Sequence, residues 1–137
     1  MSDSVDRDEL TQFICQYSGD FKTATVADMG QYFCSTVTTI HNDVVSHYSD
    51  SGLFVDSLIL ALKPLVETGF SHTVLDDIYI HPLREHSVLV SANFRRLDNK
   101  GQLFSLVGAS YILVHTEQGY KIASIMGHDI DKLITAE

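Results

Sequence analysis

Two side chains near the middle of the sequence could transfer a proton. His41 and Asp43 occur in the segment TIHND and lie on the same side of the chain if a strand continues through Asn42. A carboxylate in that position would orient the imidazole as a general base. The alternative is an ordinary polar turn, because Asn-Asp is typical of turns. We therefore treat His41 and Asp43 as candidate catalytic residues at the end of a strand.

A third candidate acid or base is His128, near the end of the sequence. In a regular last strand it is in phase with Tyr120, Ile122, Ser124 and Met126. If that face lines a cavity, His128 is a candidate catalytic residue and Met126 a candidate ligand contact. The alternative is a surface histidine at the end of a strand.

Two tyrosines are candidate ligand-binding residues. Tyr17 completes an apolar helical face with Leu10, Phe13 and Ile14, and Tyr32 opens a β-branched and aromatic run. Their rings can pack while their hydroxyls point into a cavity. The alternative is a pair of core tyrosines whose hydroxyls are satisfied within the protein.

Helical signals dominate the first half of the sequence. A first helix is expected to end at Ser18-Gly19, and a second short helix is plausible over 21–30. A strand over 32–40 then turns at HNDVV into a second short strand, followed by a loop at 49–52. The spacing of Phe54, Leu58, Ala61, Leu62 and Leu65 predicts another helix, which Pro64 should kink or break and Gly69 should cap.

After Gly69 the period changes to that of strands. Four are predicted over about 71–82, 87–97, 102–116 and 119–128, and turn residues make the last three an antiparallel meander. Both faces of the third of these strands are largely apolar. One face can pack on the helices, and the other predicts contact with a second copy of the chain.

The composition limits the kinds of partner that the protein is expected to bind. The sequence has 9 Lys and Arg against 18 Asp and Glu, a net charge of −9, which disfavours nucleic acid and anionic membranes. No apolar run is long enough to span a bilayer, and the polar, acidic N-terminus does not resemble a signal peptide. The two cysteines, Cys15 and Cys34, fit free thiols in a reducing cytoplasm. No spacing of ligands predicts a metal, and no cofactor is expected.

The order of elements and three segments resemble the nuclear transport factor 2-like superfamily, which includes SnoaL-like and ketosteroid isomerase-like proteins. The segments are ETGFSH (67–72), VLVSANFRRLDNKGQ (88–102) and YILVHTEQGYKIASI (111–125). Tyr120 stands where members often carry a tryptophan. The resemblance runs from about Leu10 to Asp129, so a single domain over 1–137 is expected.

This resemblance implies an α+β, cone-shaped fold in which N-terminal helices pack on a strongly curved antiparallel sheet. It also implies a cavity between helices and sheet, and a homodimer formed through the outer sheet face. The expected ligand is a small, partly hydrophobic molecule. Cofactor-free acid/base catalysis of isomerase, dehydratase or cyclase type is one hypothesis, and a non-catalytic binding or dimeric interaction module is the other. Separately from the resemblance, Arg95 or Arg96 could recognise an anion, but at most one of them can enter a given site, because adjacent strand residues face opposite ways.

Overall fold

The computed structural model of this chain describes residues 6–19 and 29–135. Its helices are α1 (Arg7–Gly19) and α2 (Ser51–Glu67), and a short 3-10 turn follows at Ile130–Lys132. Its strands are β1 (Phe33–His41), β2 (Val44–Tyr48), β3 (Phe70–Arg84), β4 (Ser87–Asp98), β5 (Leu103–Thr116) and β6 (Gly119–His128). The short helix predicted over 21–30 lies mostly outside the described residues.

The first helix forms as its apolar spacing predicts. Leu10, Ile14 and Tyr17 recur along one face of α1 and are buried. Asp8 and Glu9 lie in the first turn, where negative charge favours the helix dipole. The buried face of α1 contacts β3 and joins the central core.

A tight turn joins β1 to β2. Asn42 and Asp43 both have positive φ, of 52° and 65°, which is the backbone of a two-residue type I′ hairpin turn. Both residue types tolerate this conformation better than most. The strand therefore ends at His41, and the predicted second short strand is confirmed at Val44–Tyr48.

The second helix differs from the prediction at its start and at its proline. The loop expected over 49–52 is shorter, because Asp50 caps the helix by accepting a hydrogen bond from the Gly52 backbone N–H at 2.8 Å. The helix also continues through Pro64 without a break. Pro64 lies in the last turn, so only one helical hydrogen bond is lost near an end that frays anyway.

The six strands form one sheet in the order β2-β1-β6-β5-β4-β3. Neighbours are antiparallel except β1 and β6, which are parallel. Helices α1 and α2 pack on one face of this sheet. The α+β architecture, helices on a curved and mostly antiparallel sheet, is confirmed.

We call the sheet face that packs on the helices the inner face. On β4 it carries Val88, Val90, Ala92 and Phe94, all of them buried. The opposite, outer face carries the alternate residues, and the C-terminal segment after β6 crosses it. There Ser91 Oγ accepts a hydrogen bond from the Ile134 backbone N–H at 3.0 Å, and Asn93 donates to the Ile130 carbonyl at 2.9 Å.

Candidate functional site

A small cavity lies between the end of α1 and the inner face of the sheet. Its volume is about 30 Å³, room for one or two water molecules or for one polar end of a ligand. Two residues of α1, one of β3, two of β4 and two of β5 line it. They are Tyr17, Ser18, Thr73, Phe94, Arg96, Val107 and Tyr111.

Two buried tyrosines form the polar wall of this cavity. The rings of Tyr17 and Tyr111 meet edge to face with centroids 5.8 Å apart, and the two phenol groups interact electrostatically. Burial raises the pKa of both phenols above the ordinary value. Both hydroxyls therefore stay protonated at neutral pH and act as hydrogen-bond donors, not as bases.

Arg96 places a positive charge beside the two hydroxyls. It continues the inner-face series of β4 after Phe94, and its guanidinium carbon lies 5.6 Å from the centre of the Phe70 ring. Burial lowers the pKa of Arg96, and the neighbouring tyrosines act in the opposite direction. No acidic side chain among residues 6–19 and 29–135 forms an ion pair with it.

The structure does not bring His41 and Asp43 to this cavity. Both are exposed at the β1–β2 hairpin, and neither lines it. Because the chain turns at Asn42 and Asp43, the extended backbone that would align the two side chains is absent. His41 instead lies close to Gly127 of β6.

His128 and Met126 lie on the outer face. Ile122 pairs with Leu113 and Ser124 pairs with Ile112, so Ala123 is an extra residue that reverses the alternation. His128 is therefore out of phase with Ile122. Its Nε2 lies 2.9 Å from Ser110 Oγ and its Nδ1 lies 2.8 Å from the Asp129 carbonyl oxygen.

Tyr32 is buried in the core next to the cavity. Its ring packs edge to face against Tyr17 at 5.7 Å and against Phe13 at 5.4 Å. It supports Tyr17 without lining the cavity. Of the six residues proposed from the sequence for catalysis or ligand binding, Tyr17 alone lines the described cavity.

Three polar residues of the cavity were not proposed as site residues from the sequence: Ser18, Thr73 and Tyr111. Arg96 was considered only together with Arg95, as a pair of which at most one could enter a site. A signal was present for Arg96, because it is in phase with the apolar series Val88, Val90, Ala92 and Phe94. Tyr111 is similarly in phase with Val107, Ala109 and Leu113 of β5. A polar residue that extends an apolar inner-face series is a good candidate for a pocket.

Two features of the described residues bear on the kind of site. No helix within 6–19 or 29–135 is long and apolar enough to cross a membrane. In the same residues, no three His, Cys, Asp or Glu side chains gather as metal ligands would. The polar groups at the cavity are hydroxyls and one guanidinium.

Similar folds occur in solved structures. A nuclear transport factor 2 (NTF2-like) superfamily protein from Salmonella enterica serovar Typhimurium LT2 matches with a TM-score of 0.63 and 16% identity, covering 95% of this chain and 91% of that chain. Yeast UBP3-associated protein BRE5 matches with a TM-score of 0.69 and 16% identity, over 97% and 100%. A candidate dehydratase of the NTF2-like family from Streptomyces avermitilis matches with a TM-score of 0.65 and 15% identity, over 88% and 92%. At these identities the similarity shows the fold alone.

Sequence comparison gives the family. No curated protein matches the chain. Residues 8–130 match the family described as NTF2-like protein (DUF6841), which accounts for most of the chain. The chain therefore belongs to this NTF2-like family.

Proposed function

We propose that this protein binds a small, partly hydrophobic molecule between α1 and the inner face of the sheet. The observation that carries the proposal is the buried Tyr17–Tyr111 pair at a cavity that Phe94 and Val107 line with apolar surface. Binding sites commonly combine an apolar lining with a few convergent polar groups. Here Phe94 and Val107 supply apolar lining, and the tyrosines supply donors for a ligand oxygen.

The cavity volume limits which part of such a ligand can fit inside. About 30 Å³ accepts a polar end group but not an aromatic ring. In this arrangement the polar end reaches the tyrosines and the apolar body lies against Phe94 and Val107. The binding function needs no proton acceptor, and no carboxylate or imidazole is among the described lining residues.

Cofactor-free acid/base catalysis is the second candidate function. It is favoured by the two neutral hydroxyls, which could stabilise an oxyanion that develops on a substrate. The fold shared with a candidate dehydratase agrees with this chemistry. His41, Asp43 and His128 remain the residues proposed for proton transfer, although the structure places them outside the described cavity.

We propose further that the protein is a cytoplasmic homodimer formed through the outer sheet face. Leu106 of β5 and Met126 of β6 are 50% and 37% exposed on that face. Ile130 and Ile134 of the C-terminal segment add apolar surface, at 38% and 37%. Exposed apolar side chains on one sheet face are a feature of subunit contacts.

The binding function can be tested with benzamide, a neutral aromatic amide whose oxygen accepts hydrogen bonds. Titration into the ¹⁵N-labelled full chain should shift the backbone amide resonances of Phe94, Val107 and Tyr111 saturably. Tyr111→Phe should weaken this binding, because it removes a hydroxyl donor. Tyr79→Phe, which removes a hydroxyl from another site, should not. Absence of saturable shifts at these amides would contradict the proposal.

A further inference from the structure

We propose that the cavity is a subsite for a carboxylate, held by Arg96 together with Thr73 and Tyr111. This inference rests on the proposed binding function and names the chemical class of its ligand. It follows from the set of polar groups that converge there. Each of them can donate a hydrogen bond, and Arg96 adds a positive charge.

The first argument is the charge of Arg96. Its neighbour in sequence, Arg95, forms an ion pair with Asp76 on the outer face, with Nε 2.8 Å from Oδ1 and 3.0 Å from Oδ2. Arg96 has no such partner among residues 6–19 and 29–135. A guanidinium taken out of water is costly unless it is paired with an anion. The structure therefore leaves a partly buried positive charge to be matched by a ligand.

The second argument is the hydroxyl of Thr73. Its Oγ1 is buried and has no hydrogen-bond partner within the described chain. Thr73 is the cross-strand partner of Arg96 in the β3–β4 register, so both side chains leave the sheet on the same face. Both line the cavity. A buried polar group without a partner calls for an explanation, and a ligand oxygen at the Arg96 guanidinium would supply the missing partner.

The third argument is the position of Tyr111. Its side chain is buried, lines the cavity and meets the Tyr17 ring edge to face, with the ring centroids 5.8 Å apart. Burial raises the pKa of Tyr111, so its hydroxyl keeps its proton at neutral pH and can donate a hydrogen bond to a ligand oxygen.

Together these groups select an acceptor that carries negative charge. An ionised carboxylate only accepts hydrogen bonds, and its planar pair of oxygens matches the fork of a guanidinium. A tetrahedral phosphate would bring more charge into a wall that Phe94 and Val107 make partly apolar. The protein carries a net charge of −9, so affinity for anions elsewhere on its surface is disfavoured.

The test compares benzoate with benzamide, which have nearly the same shape and differ in charge. Each is titrated into the ¹⁵N-labelled full chain, and the Arg96 Nε–H resonance is followed with the amides of Val107 and Tyr111. Benzoate should bind at least about tenfold more tightly than benzamide, because charge-assisted hydrogen bonds are the stronger ones. Inorganic phosphate should not displace it.

Two matched variants separate the contributions of the adjacent arginines. Arg96→Gln should remove the preference for benzoate, and the dispersion of its ¹⁵N–¹H spectrum shows whether the variant is folded. Arg95→Gln should keep the preference. Equal affinity for both probes, or an unchanged preference in Arg96→Gln, would overturn the carboxylate subsite and leave the binding function intact. No saturable binding of either probe would overturn both, and binding of phosphate in place of benzoate would overturn the carboxylate assignment.

Discussion

Arg95 and Arg96 are neighbours in β4, and their guanidinium groups lie on opposite faces of the sheet. Arg95 pairs with Asp76, and Arg96 enters the inner cavity beside Tyr111. The alternation of a strand alone produces this separation. It gives the two arginines different energetic roles, which can be measured.

Replacement of each arginine by methionine should reveal this difference in stability. Arg95→Met removes an ion pair whose side chains are 45% and 31% exposed, so the cost should not exceed about 1 kcal/mol. Arg96→Met keeps an apolar stem and removes a partly buried charge that has no described ion-pair partner. Its free energy of unfolding should be unchanged or increased by about 1 kcal/mol, after loss of the contact with Phe70. Urea denaturation of the two variants measures both, and a loss above about 2 kcal/mol for Arg96→Met would make Arg96 structural.

Stability should fall in alkaline solution because of the buried tyrosines. Burial raises the pKa of Tyr17 and Tyr111 in the folded protein, whereas a tyrosine in the unfolded chain ionises near the ordinary value of about 10. Above that pH the unfolded chain loses protons that the folded protein keeps, so the unfolded state is favoured. The expected slope is about 1.4 kcal/mol per pH unit for each tyrosine.

Thermal unfolding between neutral pH and pH 11 measures this effect. Tyr111→Phe should reduce the alkaline loss relative to Tyr79→Phe, in which a tyrosine outside the cavity is changed. If both variants lost stability equally with rising pH in alkaline solution, the proposed effect of the buried tyrosines would be refuted.

Gly108→Ala should destabilise the protein, because the end of β6 approaches the backbone of β5 closely at Gly108. A Cβ at Gly108 would lie 2.7 Å from the His128 carbonyl oxygen and 2.8 Å from His128 Nδ1. The backbone at His128 would have to move, at a cost of about 1–3 kcal/mol.

Gly19→Ala is the matched control, since a Cβ there meets no atom of the described residues within 4 Å. The two variants can be compared by urea denaturation. If Gly108→Ala were as stable as Gly19→Ala, the close approach of His128 to β5 would not be a real constraint.

A charge on the outer sheet face should dissociate the proposed dimer. Leu106→Arg places a cation in the apolar surface of β5, and burying it in a subunit contact would be unfavourable. Leu60→Arg is the control, because Leu60 is 70% exposed on α2 rather than on the outer face. Sedimentation velocity at micromolar concentration should show dimers for the wild type and Leu60→Arg, and monomers for Leu106→Arg. A monomeric wild type would contradict the proposed dimer.

The sequence by itself determined the order of elements and most of the core. Apolar spacing placed Leu10, Ile14 and Tyr17 on the buried face of α1, because a helix repeats every 3.6 residues. The change to a period of two gave the long strands after Gly69. Periodicity is a local property of the chain. It predicts the element correctly wherever one face of that element must be buried.

Only the tertiary structure decided which polar groups meet. The extra residue at Ala123 reverses the phase of β6 and places His128 outside the cavity, and a bulge of this kind depends on the neighbouring strand. Because Asn42 and Asp43 have positive φ values, β1 ends at His41 and the side chains of His41 and Asp43 do not align on one face. Conversely, Thr73, Arg96 and Tyr111 come from three strands. Thr73 pairs with Arg96 across β3 and β4, and Tyr111 pairs with Val90 and lines the same cavity from β5. Strand periodicity indicates a face, but the partner across the sheet is fixed only when the whole sheet forms.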